Sequence, residues 1–269
     1  MRTARLILGA VLAAAVLVLI GGLPTRAADE VFDRTVPLAS GGSFSLQNVN
    51  GSVTVSGWDR EAVEVRAVKT SADRVAQFAV SDLSRVQVGV VTTPGGVAVT
   101  TTYPREEIGD VSVTYEVRVP RRVWLQQVST VNGSVHVSGL QGAGELHSVN
   151  GDVEVQDSAG AFSARTTNGD ILLELASLNG PAHAAGVGTE NPLRVQTING
   201  SIVLALPGDA KATLAVQCRN GDFHSDFPVS MLGAYTPREF HGRLGTGGTP
   251  VRLSTTNGSI HIRALAQGI

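Results

Sequence analysis

The dipeptide Asn-Gly recurs through this sequence far more often than its composition allows. It occurs eight times, although ten asparagines and 31 glycines among 269 residues predict about one occurrence. Seven of the eight copies continue with Ser or Asp and then an apolar residue. These seven copies begin at Asn50, Asn132, Asn150, Asn168, Asn199, Asn220 and Asn257. Self-similarity of this kind indicates a chain built from stacked structural repeats.

Each copy has the pattern of a turn followed by a half-buried strand. Glycine accepts the positive φ that a tight turn needs, and asparagine tolerates turn conformations well. The third and fifth residues after Asn are apolar in nearly every copy, while the fourth varies, which is the period-two pattern of a strand with one buried face. The residue two positions before Asn is small and polar in most copies: Thr130, Ser148, Thr166, Thr197, Cys218 and Thr255. One unit is therefore predicted to be strand, Asn-Gly turn, strand.

Two all-β architectures can be built from such units. In a hairpin meander, Asn-Gly closes turns between antiparallel neighbours. In a β-solenoid, each unit is one coil stacked on the last, and like residues lie above one another as ladders. Near-identical residues at equivalent positions favour the second arrangement. We therefore expect an all-β, repeat-built β-solenoid or solenoid-like sandwich.

The segment between the first two repeats is expected to hold the one helix and a hairpin. Apolar residues at helical spacing predict a short helix inserted near residues 71–83, with Ser71 as its N-cap. The stretches Arg85–Thr92 and Val97–Tyr103 alternate around Pro94-Gly95-Gly96 and predict a hairpin. The irregular residues 226–250 resemble a cap or lid. No linker divides the chain, so residues 28–269 are expected to form a single β-repeat domain.

Residues 1–27 have the three parts of a secretory signal peptide. Arg2 and Arg5 precede an apolar run from Leu6 to Ile20, and small residues end at Ala27. The alternative is an uncleaved membrane anchor, because the apolar stretch reaches the short end of a spanning helix. We expect cleavage and export to the periplasm, cell surface or extracellular space. Loss of three arginines would change the formal net charge from −2 to −5, and this balance excludes a nucleic-acid binder.

Several motifs together resemble one bacterial family. They are VNGSVTVSGW at 49–58, VPRRVWLQQVSTVNGSVHVSG at 119–139, INGSIVLALP at 198–207 and GTGGTPVRLSTTNGSIHI at 245–262, with the NGD copies at 150 and 168. This order of motifs resembles the "putative adhesin" β-strand-repeat proteins, domain of unknown function 4097. The resemblance implies an exported or envelope-associated β-repeat domain and no established activity.

Candidate reactive groups occur at repeated positions of the units. The fourth residue after Asn is a histidine in three copies, namely His136, His224 and His261. Stacked histidines can hold Zn²⁺ or Cu²⁺, but only the last two are expected to be neighbours, and exposed strand positions are the simpler interpretation. The turn residues Asp152, Asp170 and Asp222 invite a calcium interpretation, but acceptance of backbone N–H groups explains their alternation with serine. Cys218 is interpreted as a small buried residue rather than a catalytic thiol.

These patterns predict a non-enzymatic binding or scaffolding role, with an unknown envelope glycan or protein as partner. No catalytic, cofactor-binding or metal-binding residue is assigned, and no cofactor is expected. The alternatives are a carbohydrate-active β-helix enzyme and a self-assembling structural solenoid. Three of the turns are preceded by an arginine, namely Arg165, Arg194 and Arg219. Because the arginines lie at different distances from the turn asparagine, the sequence gives no reason to expect their side chains next to one another.

Overall fold

The computed structural model describes residues 29–72, 76–104, 110–178, 192–232, 236 and 238–265, with the side chains of residues 76–79 left aside. This part of the chain contains twenty strands and one helix. The first half holds β1 (Asp29–Pro37), β2 (Ser43–Gln47), β3 (Val53–Trp58), β4 (Ala62–Ser71), α1 (Ala76–Arg85), β5 (Gln87–Thr93), β6 (Gly96–Thr102), β7 (Val111–Pro120), β8 (Trp124–Asn132), β9 (Val135–Ser138) and β10 (Gln141–Asn150). The second half holds β11 (Val153–Arg165), β12 (Ile171–Ser177), β13 (Leu193–Asn199), β14 (Ile202–Leu206), β15 (Ala212–Asn220), β16 (Phe223–Ser225), β17 (Val229–Met231), β18 (Glu239–Leu244), β19 (Thr249–Asn257) and β20 (Ile260–Ala264).

The strands form two stacks, which share the long strand β11. The first stack runs in the spatial order β5-β6-β2-β8-β10-β11-β13-β19-β15-β18-β17. The second stack runs β1-β4-β7-β3-β9-β11-β12-β14-β20-β16. Alternate residues of both stacks are buried in one continuous apolar core, as the period-two pattern predicts.

The repeats pair in parallel, which confirms the solenoid and excludes the hairpin meander. In each coil an Asn-Gly corner leads from a strand of the first stack to a strand of the second, as from β8 to β9. The parallel strands then continue from coil to coil through both stacks. Antiparallel strands lie only at the ends of the stacks: β5, β4 and β1 at one end, and β18 and β17 at the other.

The spatial order of the coils differs from their order in the sequence. A solenoid in which each unit stacks on the last would place the coil of Asn220 against the coil of Asn199. Instead, the final unit, that of Asn257, lies between them, because β19 pairs with both β13 and β15. The asparagines therefore follow the order 50, 132, 150, 168, 199, 257 and 220. Asn179, the eighth copy, lies outside the described residues, as does the predicted signal peptide.

The seven corner asparagines form one hydrogen-bonded ladder. From Asn132 onward, each side-chain amide donates from Nδ2 to Oδ1 of the preceding asparagine in this spatial order, over 2.7–2.8 Å. Asn150, for example, donates to Asn132 and accepts from Asn168. An interior member thus makes two ladder bonds and an end member makes one.

Glycine follows each asparagine because the corners approach one another too closely for a side chain. A Cβ built on Gly151 would lie 2.3 Å from the carbonyl oxygen of Gly133, and the φ of Gly151 is 152°. The other stacked corners show the same close approach, with such distances of 1.9–2.3 Å. Any other residue would therefore push neighbouring coils apart.

The small polar residue two positions before Asn binds the neighbouring corner. The hydroxyls of Thr166 and Thr255 are buried and donate to the carbonyl oxygens of Gly151 and Gly200, over 2.8 and 2.9 Å. The other hydroxyls at this position make the same contact: Thr130 with Gly51, Ser148 with Gly133, and Thr197 with Gly169. A buried carbonyl deprived of its donor would be costly, which explains the pattern in the sequence.

In the first coil, a larger hydrogen-bond network supplies the donor for the corner carbonyl. Asn48 takes the place of the hydroxyl residue and donates to the carbonyl oxygens of Gly51 and Val113. Its own Oδ1 accepts from the hydroxyl of Thr101, which also lies 2.6 Å from the hydroxyl of Tyr115. All three side chains are buried.

The segment before β7 confirms a short helix and the hairpin but corrects the predicted N-cap. Helix α1 begins at Ala76, and β5 and β6 pair antiparallel as expected. The N-cap prediction was wrong: Ser71 is the last residue of β4, where it is buried and pairs with Val111. The alternating burial of β4 continues through Ser71, so this residue belongs to the strand pattern.

The ladder predicts a graded loss of stability when an asparagine is removed. We expect Asn150→Val to lower the free energy of unfolding by about 1–2 kcal/mol, because two hydrogen bonds disappear. The matched control is Asn220→Val at the end of the ladder, where one bond disappears and about half the loss is expected. Urea denaturation measures both. Equal stability of Asn150→Val and wild type would contradict the ladder's contribution.

The buried Tyr115 predicts a loss of stability at alkaline pH. Burial raises its pKa from 10.0 to about 12, although the hydrogen bond with Thr101 acts in the opposite direction. The native state keeps the phenolic proton that the unfolded chain releases above pH 10. The stabilisation is therefore complete below that pH and falls as the pH rises toward 12, by up to about 2–3 kcal/mol.

Urea denaturation at neutral and alkaline pH tests this linkage. Tyr115→Phe should be less stable than wild type at neutral pH because the contact with Thr101 is lost, yet its stability should fall less steeply at alkaline pH. Equal slopes in both proteins would refute the assignment to Tyr115.

Candidate functional site

A shallow groove of about 370 Å³ crosses the outer face of the first stack near its β17 end. It lies over strands β11, β13, β19, β15 and β18. Three arginines line it: Arg165 from β11, Arg194 from β13 and Arg252 from β19. Glu239 and His241 of β18 also line it, and Glu239 is the one carboxylate among the lining residues that the structure describes.

Strand register brings the arginines together. Arg194 and Arg252 are direct partners on neighbouring parallel strands, where backbones lie ~4.8 Å apart. Arg165 pairs with Gln196, two residues beyond Arg194 on β13. All three side chains point outward because the alternate positions, such as Val195 and Leu253, are buried in the core.

Within the described part of the chain, these arginines have no hydrogen-bonded or ionic partner. Other arginines do: Arg121 pairs with Asp59 at 2.7 Å, and Arg263 pairs with Glu174. The three neighbouring guanidinium groups carry like charges that repel one another. Together they create a local positive potential in the groove. Partial burial and the charge of Arg165 together lower the pKa of the adjacent His147. The groove offers guanidinium groups suited to bidentate contact with a carboxylate, phosphate or sulfate.

The sequence pattern indicated two of these three arginines but gave no reason to expect them side by side. Arg165 and Arg194 line one groove despite their different offsets from Asn, whereas Arg219 does not line it. Arg252 was missed. The signal was present, because Arg252 and Arg194 both lie five residues before the asparagine of their unit.

The three repeat histidines have different surroundings. His136 lies beside Glu154, with Nδ1 and Oε2 2.8 Å apart. His224 and His261 are register partners on β16 and β20, and their ring centroids lie 4.8 Å apart. The expectation that only these two are neighbours is confirmed. Their shared partner Asp226 was missed, because it lies beyond the repeat motif.

Two of the three turn aspartates accept backbone N–H groups, as the sequence predicts, whereas the backbone N–H of Asp222 donates to Oγ of Ser259 at 3.4 Å. Oδ1 of Asp152 accepts the N–H of Asp170 at 2.8 Å, and Oδ1 of Asp170 accepts the N–H of Ser201 at 2.7 Å. Each donor belongs to the neighbouring coil rather than to the same turn. Among the described residues, the turn aspartates join no convergent group of three metal-ligating side chains.

Cys218 is a buried member of the corner structure. Its side chain is 4% exposed, and its Sγ donates to the carbonyl oxygen of Gly258 at 3.2 Å. It thus occupies the position that a threonine or serine holds in other coils. Burial, and to a lesser degree the charge of Asp222, raise the pKa of its thiol.

The fold and the corner ladder define a parallel two-stack β-solenoid built from Asn-Gly units. A family model described as Toastrack DUF4097 matches residues 35–263. The chain belongs to this family, which confirms the resemblance found in the motifs. A sequence search among curated proteins finds no match.

Several solved structures resemble the chain at low sequence identity. A "putative cell adhesion protein" from Clostridium sporogenes has a TM-score of 0.47 at 8% identity, with 87% of this chain and 100% of that one covered. A "putative adhesin" from Bacteroides fragilis has a TM-score of 0.33 at 9% identity, with coverage of 88% and 97%. A "putative lipid binding protein" from Parabacteroides distasonis has a TM-score of 0.30 at 10% identity, with coverage of 88% and 97%.

The surroundings of Cys218 predict an unreactive thiol. Since its pKa is raised and its side chain is buried, iodoacetamide should alkylate the native protein slowly at neutral pH and faster as the pH rises. The urea-unfolded chain is the control and should react at the rate of a free cysteine. Equal rates for native and unfolded protein would contradict this structural role and reopen the catalytic interpretation.

Proposed function

We propose that this protein is an exported, envelope-associated binding module that is not an enzyme, and that its arginine-lined groove receives an anionic group of an envelope glycan. One observation supports this most: three arginines converge in a protein whose mature net charge would be −5. Because the protein as a whole carries a negative net charge, a local concentration of positive charge favours binding of one anionic ligand over general adhesion to an anionic surface.

The lining of the groove argues for binding over glycan cleavage. Glycosidases of the usual type place two carboxyl groups roughly 5–10 Å apart across the scissile bond. Glu239 is the one carboxylate among the described lining residues, and it accepts a hydrogen bond from Gln217 at 3.0 Å. A carbohydrate-active enzyme therefore remains the less supported alternative.

The ends of the stacks argue against open-ended self-assembly. A polymerising solenoid needs flat terminal coils that continue the parallel pairing. Here antiparallel strands interrupt that pairing in both stacks at one end, with β5 and β1, and in the first stack at the other end, with β18 and β17, where the second stack ends at the three-residue strand β16. Residues 229–231 and 239–244 thus act as the cap that the irregular sequence suggests.

Export is supported by the amino-terminal sequence. Residues 1–27 have the composition of a signal peptide that ends at Ala27. Among the described residues, no helix combines the length and apolar character needed to cross a bilayer. We infer a location in the periplasm, at the cell surface or outside the cell.

The groove predicts charge-dependent retention on envelope glycans. The purified protein would be tested on immobilised anionic and neutral glycan fractions of the source envelope. We expect retention on the anionic fraction that weakens with salt, because exposed charge interactions are screened. Arg194→Ala combined with Arg252→Ala should reduce the affinity by about tenfold or more, since each charge-assisted hydrogen bond contributes ~1.5–3 kcal/mol.

The control variant is Arg66→Ala combined with Arg118→Ala on the second stack. These arginines are also exposed, at 51% and 60%, but they face glutamates of neighbouring strands. Equal loss in both double variants would show nonspecific charge attraction. Retention that neither variant changes would refute the groove as the binding surface, and release of shortened glycan would favour the enzyme.

A further inference from the structure

A second cluster of polar side chains lies at the end of the second stack, away from the arginine groove. Oδ1 of Asp226 lies 3.2 Å from Nε2 of His224 and 3.0 Å from Nε2 of His261. One ligand atom from each of the three residues lies within 4.8 Å of the others. Among the described residues, no other group of three such side chains converges.

The fold places these residues by two independent means. Parallel pairing of β16 with β20 brings His224 into register with His261, although 37 residues separate their corner asparagines. The chain leaves β16 directly into Asp226, whose backbone N–H donates to the carbonyl oxygen of Ile262 at 2.9 Å. That hydrogen bond holds the carboxylate beside both imidazoles.

Two imidazoles and one carboxylate form a common ligand set for a divalent transition metal. Zn²⁺ binds imidazole nitrogen at ~2.0–2.1 Å and carboxylate oxygen at ~2.0–2.2 Å, usually with tetrahedral geometry. Ligand atoms around such an ion lie ~3.3 Å apart. The two distances to Asp226 are already close to that value, and the two imidazole ligand atoms lie within 4.8 Å of each other, so an approach of the histidine rings would complete three corners of a tetrahedron.

We propose that His224, Asp226 and His261 form a binding site for Zn²⁺ or a related divalent transition metal. The ion would lie between Oδ1 of Asp226 and the Nε2 atoms of both histidines, in place of the hydrogen bond that joins His261 to Asp226. The fourth position faces solvent, since the side chain of His224 is 71% exposed.

The site would fasten the last strand of the second stack. Strand β16 is three residues long and pairs in that stack with β20 alone. An ion bound by side chains at both β16 and β20 would link the two strands in addition to their backbone hydrogen bonds. This inference is independent of the arginine groove and of its anionic ligand, so either can fail without affecting the other.

Titration of the full chain with Co²⁺ tests the site directly. We expect one equivalent of Co²⁺ to give the visible absorption of a tetrahedral complex, and one equivalent of Zn²⁺ to displace it. Calorimetry with Zn²⁺ then gives the affinity. Asp226→Asn and His261→Gln should each weaken binding by about tenfold or more. Excess Zn²⁺ should raise the melting temperature of wild type but not that of Asp226→Asn or His261→Gln.

The matched control is His136→Gln, which removes a histidine at the same position of another coil. His136 faces Glu154 but no second histidine, so its loss should leave the stoichiometry and affinity unchanged. Far-UV circular dichroism confirms that each variant is folded, and Asp226→Asn is the mildest change because it preserves shape. Absence of a one-equivalent complex in wild type, or equal affinity in Asp226→Asn and wild type, would overturn the proposal.

Discussion

The close contact of successive Asn-Gly corners is the constraint on which the rest of the structure depends. At each corner a glycine backbone lies so near the next coil that no Cβ fits, as Gly151 and Gly133 show. The asparagine ladder lies beside this contact, and a buried hydroxyl such as that of Thr166 satisfies a glycine carbonyl. These three interactions fix the register of each coil relative to its neighbours. Because the side-chain period of a strand is two, a fixed register also decides which residues form rows on each face.

The arginine groove arises from the insertion of one coil. The unit of Asn257 lies between those of Asn199 and Asn220. On the first stack this insertion places Arg252 beside Arg194. If the coils stacked in sequence order, Arg194 would face Ala215, since these two residues hold the same position in their units. The arginine pair would then not exist, whereas His224 and His261 would remain neighbours because the units of Asn220 and Asn257 are adjacent in either order.

The local structure could be predicted from the sequence, while the order of coils could not. Asn-Gly, the alternating apolar residues and the hydroxyl before each corner follow from local geometry, and near-identical units favour parallel stacking. The sequence of one unit does not determine which other unit it pairs with, because all units present nearly the same strand edges and corner residues to their neighbours. The predicted helix cap at Ser71 failed for a related reason. Helical spacing does not reveal that the alternation of β4 extends through this residue.

The two ends of the ladder explain the exceptions to the repeat. Asn48 replaces the hydroxyl residue in the first coil, where the buried contacts with Thr101 and Tyr115 compensate. Cys218 replaces it in the last coil, where a thiol is a weaker donor than a hydroxyl. Asn220 makes a single ladder bond, and β16 pairs in its stack with β20 alone. The last coil is therefore held by fewer and weaker hydrogen bonds than an interior coil. His224, Asp226 and His261 converge at this coil, so a metal ion bound there would strengthen the solenoid where its repeat interactions are weakest.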